Sequence, residues 1–509
     1  MARPTLFLQV LPICFLPLSA ALAAGAPTPP NALPFGRFGA LPLAQPSGRA
    51  VRTVILLADG SAATAAQAAA LAAAGALVVT VDVPRYLKVA AGTTRHCINS
   101  AAELEAVGQA AEHAAGLPAF RPPILVGTGA GATLAYAALA EAPSDTFSGA
   151  VSVGFNSWLP TKKPICRGFG LVGEYSVPGQ AYRMRLDPAL AKPWIILASA
   201  PESEKGPGDS LEKLEQIVAR VPRASLRPIA DVGDGADPLA AALLAAVEKI
   251  DIESAEASAR TAPKAHEVAG LPLIELPAGG ETDSFAVVYS GDGGWTTLDR
   301  RIGQLLSNRG LPVVGWNCRG YFWIARDPDG AALDLGRALD HYLAAWGKRR
   351  AILIGYSQGA DVLPFLAARL PPALKAKISV IALIGPSEGA AFDFQLAGWM
   401  SGVPEVPERP VAPEIARLRG SKVLCAFGEQ EKGSACTKVD RKRVTALSLP
   451  SGHAFGGEAG TLVQRILKEA GVKLPAAPGE TASRAAKAPA TANRRRSHRD
   501  KRRPARPPA

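Results

Sequence analysis

The chain has 509 residues, 48% hydrophobic and 20% charged, which is enough apolar material for two or three folded domains and too little charge for a disordered protein. Its formal net charge is +12, but residues 475–509 carry ten Lys and Arg against two acidic residues, a charge of +8. The rest of the chain carries only +4. The basic character therefore belongs to the C-terminal tail, and no nucleic-acid partner is expected.

The first residues are typical of an export signal. Arg3 provides a positive start, residues 6–22 are largely apolar, and an Ala-Leu-Ala cleavage pattern ends at Ala23. No later stretch reaches the roughly 18 apolar residues that a membrane-spanning helix needs. We therefore expect residues 1–23 to be a signal peptide cleaved near Ala23.

Two halves of similar size follow, and each alternates short β-branched runs with longer Ala/Leu-rich segments. This alternation predicts βαβ units and mostly parallel sheets. The predicted boundaries are residues 50–250 for the first half, 251–267 for a polar linker, 268–474 for the second half and 475–509 for a disordered basic tail.

Four apolar segments of the first half match four segments of the second half in the same order. Those beginning at Thr53, Gly75, Pro123 and Trp194 correspond to those beginning at Phe285, Gly310, Ala351 and Lys422. The pattern predicts one α/β-hydrolase-like fold used twice.

The segment Gly355-Tyr-Ser-Gln-Gly359 carries the candidate nucleophile, Ser357. An apolar strand, Ala351–Ile354, precedes it, and a helical run from Ala360 to Leu370 follows it. In this G-x-S-x-G context the small residues allow a sharp turn from strand to helix, which exposes the serine oxygen at the helix N-terminus. The sequence therefore predicts a serine hydrolase.

The expected order of catalytic residues is serine, acid, histidine. His453 lies in a glycine-containing loop after the strand-like segment Val444–Leu449 and is the candidate base. Glu429 and Glu431 compete for the role of the acid, and we favour Glu431 because it lies three residues past Gly428. A structural histidine and a surface charge are the alternative interpretations.

The oxyanion hole is predicted to use the backbone N–H of Gln358, directly after the nucleophile, and the loop Ser290–Trp295. Gly293 and Gly294 in this loop allow close backbone approach. The loop lacks the Lys-Ser/Thr pair of a phosphate-binding P-loop, and the motifs predict neither a metal nor a cofactor. Asp292 is either a turn former or a substrate contact.

The first half is predicted to be catalytically degenerate. Its elbow reads Gly127-Thr-Gly-Ala-Gly131, so Gly129 occupies the position of the nucleophile, and no His follows its last strand region, Ser225–Val232. We expect this half to serve binding, support or regulation.

Export to an oxidising compartment allows disulfides. Cys425 and Cys436 are the closest pair, Cys97 and Cys166 can pair in the first half, and Cys318 is then left over. Buried thiols are the alternative.

Four segments together resemble the bacterial virulence proteins AcvB and VirJ. These segments are residues 290–295, 355–364, 425–436 and 452–453. The resemblance covers about residues 270–475, and the degenerate first half is similar to the extra domain of the longer AcvB form. Cys318 and the long Arg-rich tail depart from the family pattern.

The resemblance implies a periplasmic serine hydrolase that removes lysine from lysyl-phosphatidylglycerol and so modulates membrane lipid charge and virulence. Asp292, Trp295 and Asp361 are the candidate substrate contacts, although Asp361 can equally be a buried hydrogen-bonding residue. The implied partners are the phospholipid substrate, an anionic membrane surface for the basic tail, and secretion-system or other periplasmic proteins.

Two other classes of function remain open at this stage. The same three catalytic residues would serve another lipid esterase or lipase. A non-catalytic periplasmic binding or secretion-assembly factor is the second alternative.

Overall fold

The computed structural model describes residues 31–58, 62–168, 170–176, 178–198, 209–229, 237–261, 263–296, 298–393 and 409–474. The predicted signal peptide and basic tail lie outside these residues. Among the helices described, none is both long enough and apolar enough to cross a membrane.

The first half is built on an eight-stranded sheet with a small antiparallel sheet beside it. Its strands are β1 Asn31–Phe35, β2 Gly39–Ala44, β3 Arg52–Ala58, β4 Ala76–Asp82, β5 Ile124–Thr128, β6 Gly149–Val153, β7 Trp158–Pro160, β8 Val172–Ser176, β9 Ala181–Arg185, β10 Trp194–Ala198 and β11 Ala224–Pro228. The main sheet has the order β1-β2-β4-β3-β5-β6-β10-β11. It is parallel from β4 to β11, with β1 and β2 antiparallel at one edge.

The second half is built on a seven-stranded sheet. Its strands are β12 Leu273–Leu276, β13 Ser284–Tyr289, β14 Val313–Trp316, β15 Arg350–Tyr356, β16 Ile378–Ile384, β17 Gly389–Ala390, β18 Arg409–Pro410, β19 Val423–Gly428 and β20 Val444–Leu449. The main sheet has the order β12-β14-β13-β15-β16-β19-β20, with only β12 antiparallel. β17 and β18 form a separate short pair.

Helices cover both faces of each sheet. In the first half they are α1 Ala62–Ala73, α2 Val83–Ala91, α3 Ser100–Ala114, α4 Ala130–Glu141, α5 Leu211–Arg220 and α6 Pro238–Thr261. In the second half they are α7 Leu298–Ser307, α8 Cys318–Tyr321, α9 Pro328–Ala345, α10 Gln358–Arg369, α11 Pro372–Lys375, α12 Val411–Arg417 and α13 Ala459–Ala470. α1 and α6 cover one face of the first sheet, and α7 and α13 cover one face of the second.

Local sequence explains why these elements form. All six residues of β13, Ser284–Tyr289, are buried, as expected of a central parallel strand covered by helices on both faces. α13 buries Leu462, Val463, Ile466 and Leu467 along one stripe at the spacing of a helix. It ends at Gly471, whose φ of 71° is the left-handed cap that glycine adopts without steric cost.

The two sheets share one strand order. Starting from the antiparallel strand β2 or β12, the next strands follow as β4-β3-β5-β6-β10-β11 in one half and β14-β13-β15-β16-β19-β20 in the other. This order, with helices on both faces, confirms the predicted tandem of α/β-hydrolase-like units. The stretch predicted as a linker, 251–267, is helical as far as Thr261, since it forms the C-terminal part of α6.

Both cysteine pairs considered in the sequence form disulfides. Cys97 is bonded to Cys166 in the first half, and Cys425 is bonded to Cys436 in the second. Cys318 is a free thiol and is buried. Two disulfides are typical of a protein that folds in an oxidising compartment.

Two buried carboxyl groups of the first half make its stability depend on pH. Burial raises the pKa of Glu112 and of Glu141 from 4.5 to about 7. The folded protein therefore keeps a proton that the unfolded chain releases, so the free energy of unfolding falls as pH rises between about 5 and 7, by up to about 3 kcal/mol per residue. Glu141→Gln removes one such group and should reduce the change in the thermal unfolding midpoint between pH 5 and pH 8.

The control for this prediction is Glu215→Gln on the exposed face of α5. It should keep the pH dependence of the wild-type midpoint. A Glu141→Gln protein with the wild-type pH dependence would contradict the assignment.

Candidate active site

Ser357 stands on a sharp turn between β15 and α10. Its φ of 52° and ψ of −122° lie outside the regions that a side-chain-bearing residue prefers, at a cost of roughly 1–3 kcal/mol. The turn is tight because glycines flank it. A Cβ on Gly355 would lie 2.4 Å from the carbonyl oxygen of Gly359, and a Cβ on Gly359 would lie 2.6 Å from the carbonyl oxygens of Tyr289 and Ser290.

The first half keeps this turn without a nucleophile. Gly129 has φ 54° and ψ −119°, within a few degrees of Ser357. A Cβ on Gly131 would lie 1.9 Å from the carbonyl oxygen of Leu57 in β3. In the same way, a Cβ on Gly359 would clash with the equivalent strand of the second half, β13. The backbone of the elbow is therefore preserved where its chemistry is absent.

These contacts predict that the flanking glycines are needed for folding in both halves. Gly131→Ala and Gly359→Ala should each lower the thermal unfolding midpoint by several degrees, because the new methyl group meets fixed backbone atoms. Gly460→Ala in α13 is the control, since a Cβ there meets nothing within 4 Å and alanine favours the helix. A Gly131→Ala protein as stable as the control would contradict the prediction.

His453 reaches the nucleophile from the loop after β20. Its Nε2 lies 2.9 Å from Oγ of Ser357, within hydrogen-bond distance. Tyr356 supports the imidazole in two ways, because its ring stacks on that of His453 with centroids 5.6 Å apart and its hydroxyl donates to the carbonyl oxygen of His453 at 3.2 Å. Gly385 leaves room for the ring, since a Cβ there would lie 3.1 Å from Nδ1 of His453.

Glu431 is the carboxylate that meets the imidazole. Its Oε1 is hydrogen-bonded to Nδ1 of His453, and its Oε2 accepts the backbone N–H of Gly428 at 2.5 Å. Glu429, the competing residue, instead accepts a hydrogen bond from the hydroxyl of Ser448. The side chain of Glu431 is 9% exposed and that of His453 is 48% exposed, so the acid is shielded while the base faces solvent.

The structure thus brings together Ser357, His453 and Glu431. Of the predicted oxyanion donors, two already have hydrogen-bond acceptors within their own loop. The N–H of Gly293 donates to the side chain of Asp292, and that of Gly294 donates to the carbonyl of Gly291. Both groups would have to leave these partners to bind an oxyanion. Within the described part of the chain, the N–H of Gln358 has no backbone acceptor.

Two of the three predicted substrate contacts are buried instead. Trp295 is 4% exposed and packs against Gly303 and Gly315, where added Cβ atoms would lie within 3.0 Å of its ring. It is a core residue, because the loop turns its indole inward between α7 and β14. Asp361 accepts the N–H of Ser387 at 2.6 Å, and burial raises the pKa of its carboxyl well above the ordinary range.

Asp292 has the opposite environment. Its carboxylate is exposed at the tip of the loop after β13. The loop lies beside the nucleophile, since a Cβ on the neighbouring Gly291 would be 3.3 Å from the Cβ of Ser357. Of the three predicted substrate contacts, Asp292 is the one that is exposed.

A cavity of about 270 Å³ opens next to the imidazole. It is lined by Gly385, Pro386, Ser387, Gln430, Glu431, Lys432, Gly433, Ser434 and His453. In the described ranges, no group of three or more His, Cys, Asp or Glu side chains is arranged to hold a metal ion. The cavity lies directly beside the hydrogen-bonded pair of Glu431 and His453.

Comparison with known proteins shows that the second half is similar to a known family. Residues 283–473 match the family VirJ, described as a bacterial virulence protein. We call the second half of the chain, residues 268–474, the VirJ domain after this match. The match confirms the family resemblance drawn from the sequence for the second half of the chain. No curated protein sequence matches the chain.

The chain is also similar to several solved structures. Est1E from Butyrivibrio proteoclasticus is 11% identical, with a TM-score of 0.30, over 39% of this chain and 93% of its own. The Pyrococcus furiosus esterase Pf2001 is 14% identical, with a TM-score of 0.29, over 37% of this chain and 82% of its own. An α/β serine hydrolase without a lid from Xanthomonas campestris is 20% identical, with a TM-score of 0.28, over 40% and 90%.

Two residues of the VirJ domain that contact the site were missed in the sequence. Tyr356 directly precedes the nucleophile, and its place in the elbow motif was a usable signal. Arg319 lies against Gly294 of the loop Ser290–Trp295, called the oxyanion loop below. Its carboxylate partner, Glu105, lies in the other half of the chain. No local pattern could have revealed that pair.

Proposed function

We propose that this protein is an exported serine hydrolase that cleaves the aminoacyl ester of lysyl-phosphatidylglycerol to lysine and phosphatidylglycerol. The observation that carries the reaction class is the hydrogen-bonded chain from Ser357 through His453 to Glu431. The substrate is inferred from the resemblance to AcvB and VirJ, to which the VirJ family match lends support.

The first stage of the reaction forms an acyl-enzyme. His453 Nε2 takes the proton of Ser357 as its Oγ attacks the lysyl ester carbonyl carbon. Glu431 holds the imidazole in orientation and stabilises the imidazolium that forms. The negative charge on the carbonyl oxygen is stabilised by the N–H of Gln358 and the N-terminus of α10.

The second stage of the reaction releases lysine. His453 first returns the proton to the departing glycerol oxygen of phosphatidylglycerol, which completes the acyl-enzyme. It then takes a proton from water. That water attacks the lysyl-serine ester, and His453 gives the proton back to Oγ of Ser357 as lysine is released. No cofactor is required for either step.

Charge supports the choice of substrate. A lysyl ester presents a cationic amine, and the exposed carboxylate of Asp292 lies on the loop next to Ser357. Asp361 is excluded from this role, because burial favours its neutral form and the N–H of Ser387 occupies its carboxyl. Asp292 is therefore our candidate for recognition of the lysyl group.

The reaction would change the charge of the membrane surface. Removing the lysyl group turns a cationic lipid into anionic phosphatidylglycerol, and we propose that this change links the enzyme to virulence. We place the protein in the periplasm, in agreement with its two disulfides. There its Arg-rich tail would meet anionic lipid, at roughly 1 kcal/mol per basic residue near the surface.

The test is to incubate the purified protein and its Ser357→Ala variant with vesicles of lysyl-phosphatidylglycerol or of phosphatidylglycerol. Free lysine and free fatty acid are followed by mass spectrometry. We expect the wild-type protein to release lysine from the first lipid and nothing from the second, and the variant to release neither product.

The other products would support different functions. Fatty acid released from either lipid would indicate a phospholipase. Neither product, from protein shown to be folded by its thermal transition, would overturn the hydrolase and favour a binding or secretion-assembly factor.

A further inference from the structure

The two halves of the chain meet beside the oxyanion loop. The first half contributes α3 and the segment that follows it, and the VirJ domain contributes α8 and Trp323. This indole is 3% exposed, and its N–H donates to the carbonyl of Leu117 at 2.6 Å. Its ring also contacts the rings of His113 and Phe120. The first half therefore buries surface next to the catalytic machinery.

Arg319 occupies the centre of this contact. Its side chain is 3% exposed, and its guanidinium forms an ion pair of 2.5 Å with Glu105 of α3. The same guanidinium lies over the ring of Phe120, with Cζ 4.5 Å from the centroid. A buried cation is costly unless it is paired, and both of these partners belong to the first half.

Arg319 also touches the oxyanion loop. A Cβ on Gly294 would lie 3.1 Å from Nε and 3.2 Å from Nη2 of Arg319, so the guanidinium fills the space that a side chain would take. Gly294 donates its N–H to the carbonyl of Gly291, and Gly291 lies beside Ser357, since a Cβ on it would be 3.3 Å from the Cβ of Ser357. Arg319 and the loop thus lie between Glu105 and the nucleophile.

The loop is tied to α8 through a second route. The buried hydroxyl of Ser290 accepts the N–H of Cys318 at 2.9 Å and donates to the carbonyl of Gly291. Cys318 and Arg319 are adjacent in the chain. A displacement of Arg319 would therefore be transmitted to both ends of the loop.

We propose that the half without a nucleophile is a working part of the hydrolase site, in which Glu105 holds Arg319 and Arg319 holds the Gly291–Gly294 loop beside Ser357. Arg319 is a positioning residue, because it acts through the loop and does not touch the reacting atoms. This inference rests on the proposed hydrolase function and extends it, because the first half then helps to position the active site. A purely structural interface would make stability, but not turnover, depend on this pair.

The experiment measures hydrolysis of p-nitrophenyl acetate by the full-length chain. Glu105→Gln and Arg319→Ala should each lower kcat, the second by roughly 10-fold to 100-fold, with KM changed less than about threefold. Arg319→Lys keeps the charge and should restore part of the loss. In the Arg319→Ala background, adding Glu105→Gln should cause no further loss, because Glu105 acts through Arg319.

The matched control is Asp145→Asn. Asp145 pairs with Arg300 across the same two halves and not with Arg319, so this variant should keep the wild-type kcat. Thermal unfolding identifies any variant that is not folded, and Glu105→Gln and Arg319→Lys preserve side-chain volume if Arg319→Ala does not fold.

Labelling of Ser357 with a fluorophosphonate separates this proposal from the one on which it rests. A wild-type protein that is neither labelled nor active would overturn the hydrolase itself. An active wild type with unchanged kcat in Glu105→Gln and Arg319→Lys would overturn only the positioning role, as would an equal loss in Asp145→Asn.

Discussion

Replacing Glu431 with glutamine will slow hydrolysis by roughly 10³-fold to 10⁴-fold while leaving the fold intact. The carboxylate accepts from Nδ1 of His453 and thereby selects the tautomer whose Nε2 can take the proton of Ser357. An amide has nearly the same shape but cannot stabilise the imidazolium, and its NH₂ group can favour the wrong tautomer. The measurement is kcat on a soluble ester, with the thermal unfolding midpoint recorded in parallel.

Glu429→Gln is the matched control for this prediction. It removes the same charge from the same loop, but Glu429 contacts Ser448 and not the imidazole. Its kcat should stay within about threefold of the wild type. If Glu429→Gln were the inactive variant and Glu431→Gln the active one, the assignment of the acid would be reversed.

The Cys425–Cys436 disulfide should matter for both stability and catalysis. Closing a loop of sequence separation 11 stabilises the folded protein by about 3 kcal/mol through the entropy of the unfolded chain. Glu431 lies inside this loop, so Cys425→Ala/Cys436→Ala should lower the unfolding midpoint and also reduce kcat. Urea denaturation and ester hydrolysis measure the two effects on the same preparation.

The second disulfide provides the comparison. Cys97 and Cys166 are separated by 69 residues, which predicts a larger stabilisation of about 4 kcal/mol. None of Ser357, Glu431 and His453 lies within this loop, so Cys97→Ala/Cys166→Ala should lower stability at least as much yet reduce kcat less than Cys425→Ala/Cys436→Ala does. Equal losses of kcat in both double variants would show that the effect on catalysis is one of general instability.

Much of the fold and of the site could be predicted from residues that are neighbours in the chain. The G-x-S-x-G segment defines a strand, a sharp turn and a helix by itself, because Gly355 and Gly359 are required by backbone contacts of the turn. Strand β20 matches its predicted range, Val444–Leu449. The order of matching segments was also sufficient to predict that one sheet topology occurs twice.

The fate of the loop residues could not be predicted in the same way. Asp292, Gly293, Gly294 and Trp295 are adjacent in sequence, but one is exposed, two use their N–H groups within the loop and one is buried in the core. A side chain's direction in such a turn depends on which helix and strand pack against it. The glycines of this loop indicated that other groups approach its backbone closely, but they did not show that these groups are Ser357 and Arg319.

The sequence by itself predicted a serine hydrolase, named a candidate nucleophile and base, and identified glycine at the nucleophile position of the first half. These depend on residue identity and on steric rules that act over a few positions. Only the tertiary structure decided between Glu429 and Glu431, removed Trp295 and Asp361 from the substrate contacts, and joined Glu105 to Arg319. Those outcomes depend on how strands far apart in the chain bring their loops to one edge of a sheet, and on how one half packs against the other.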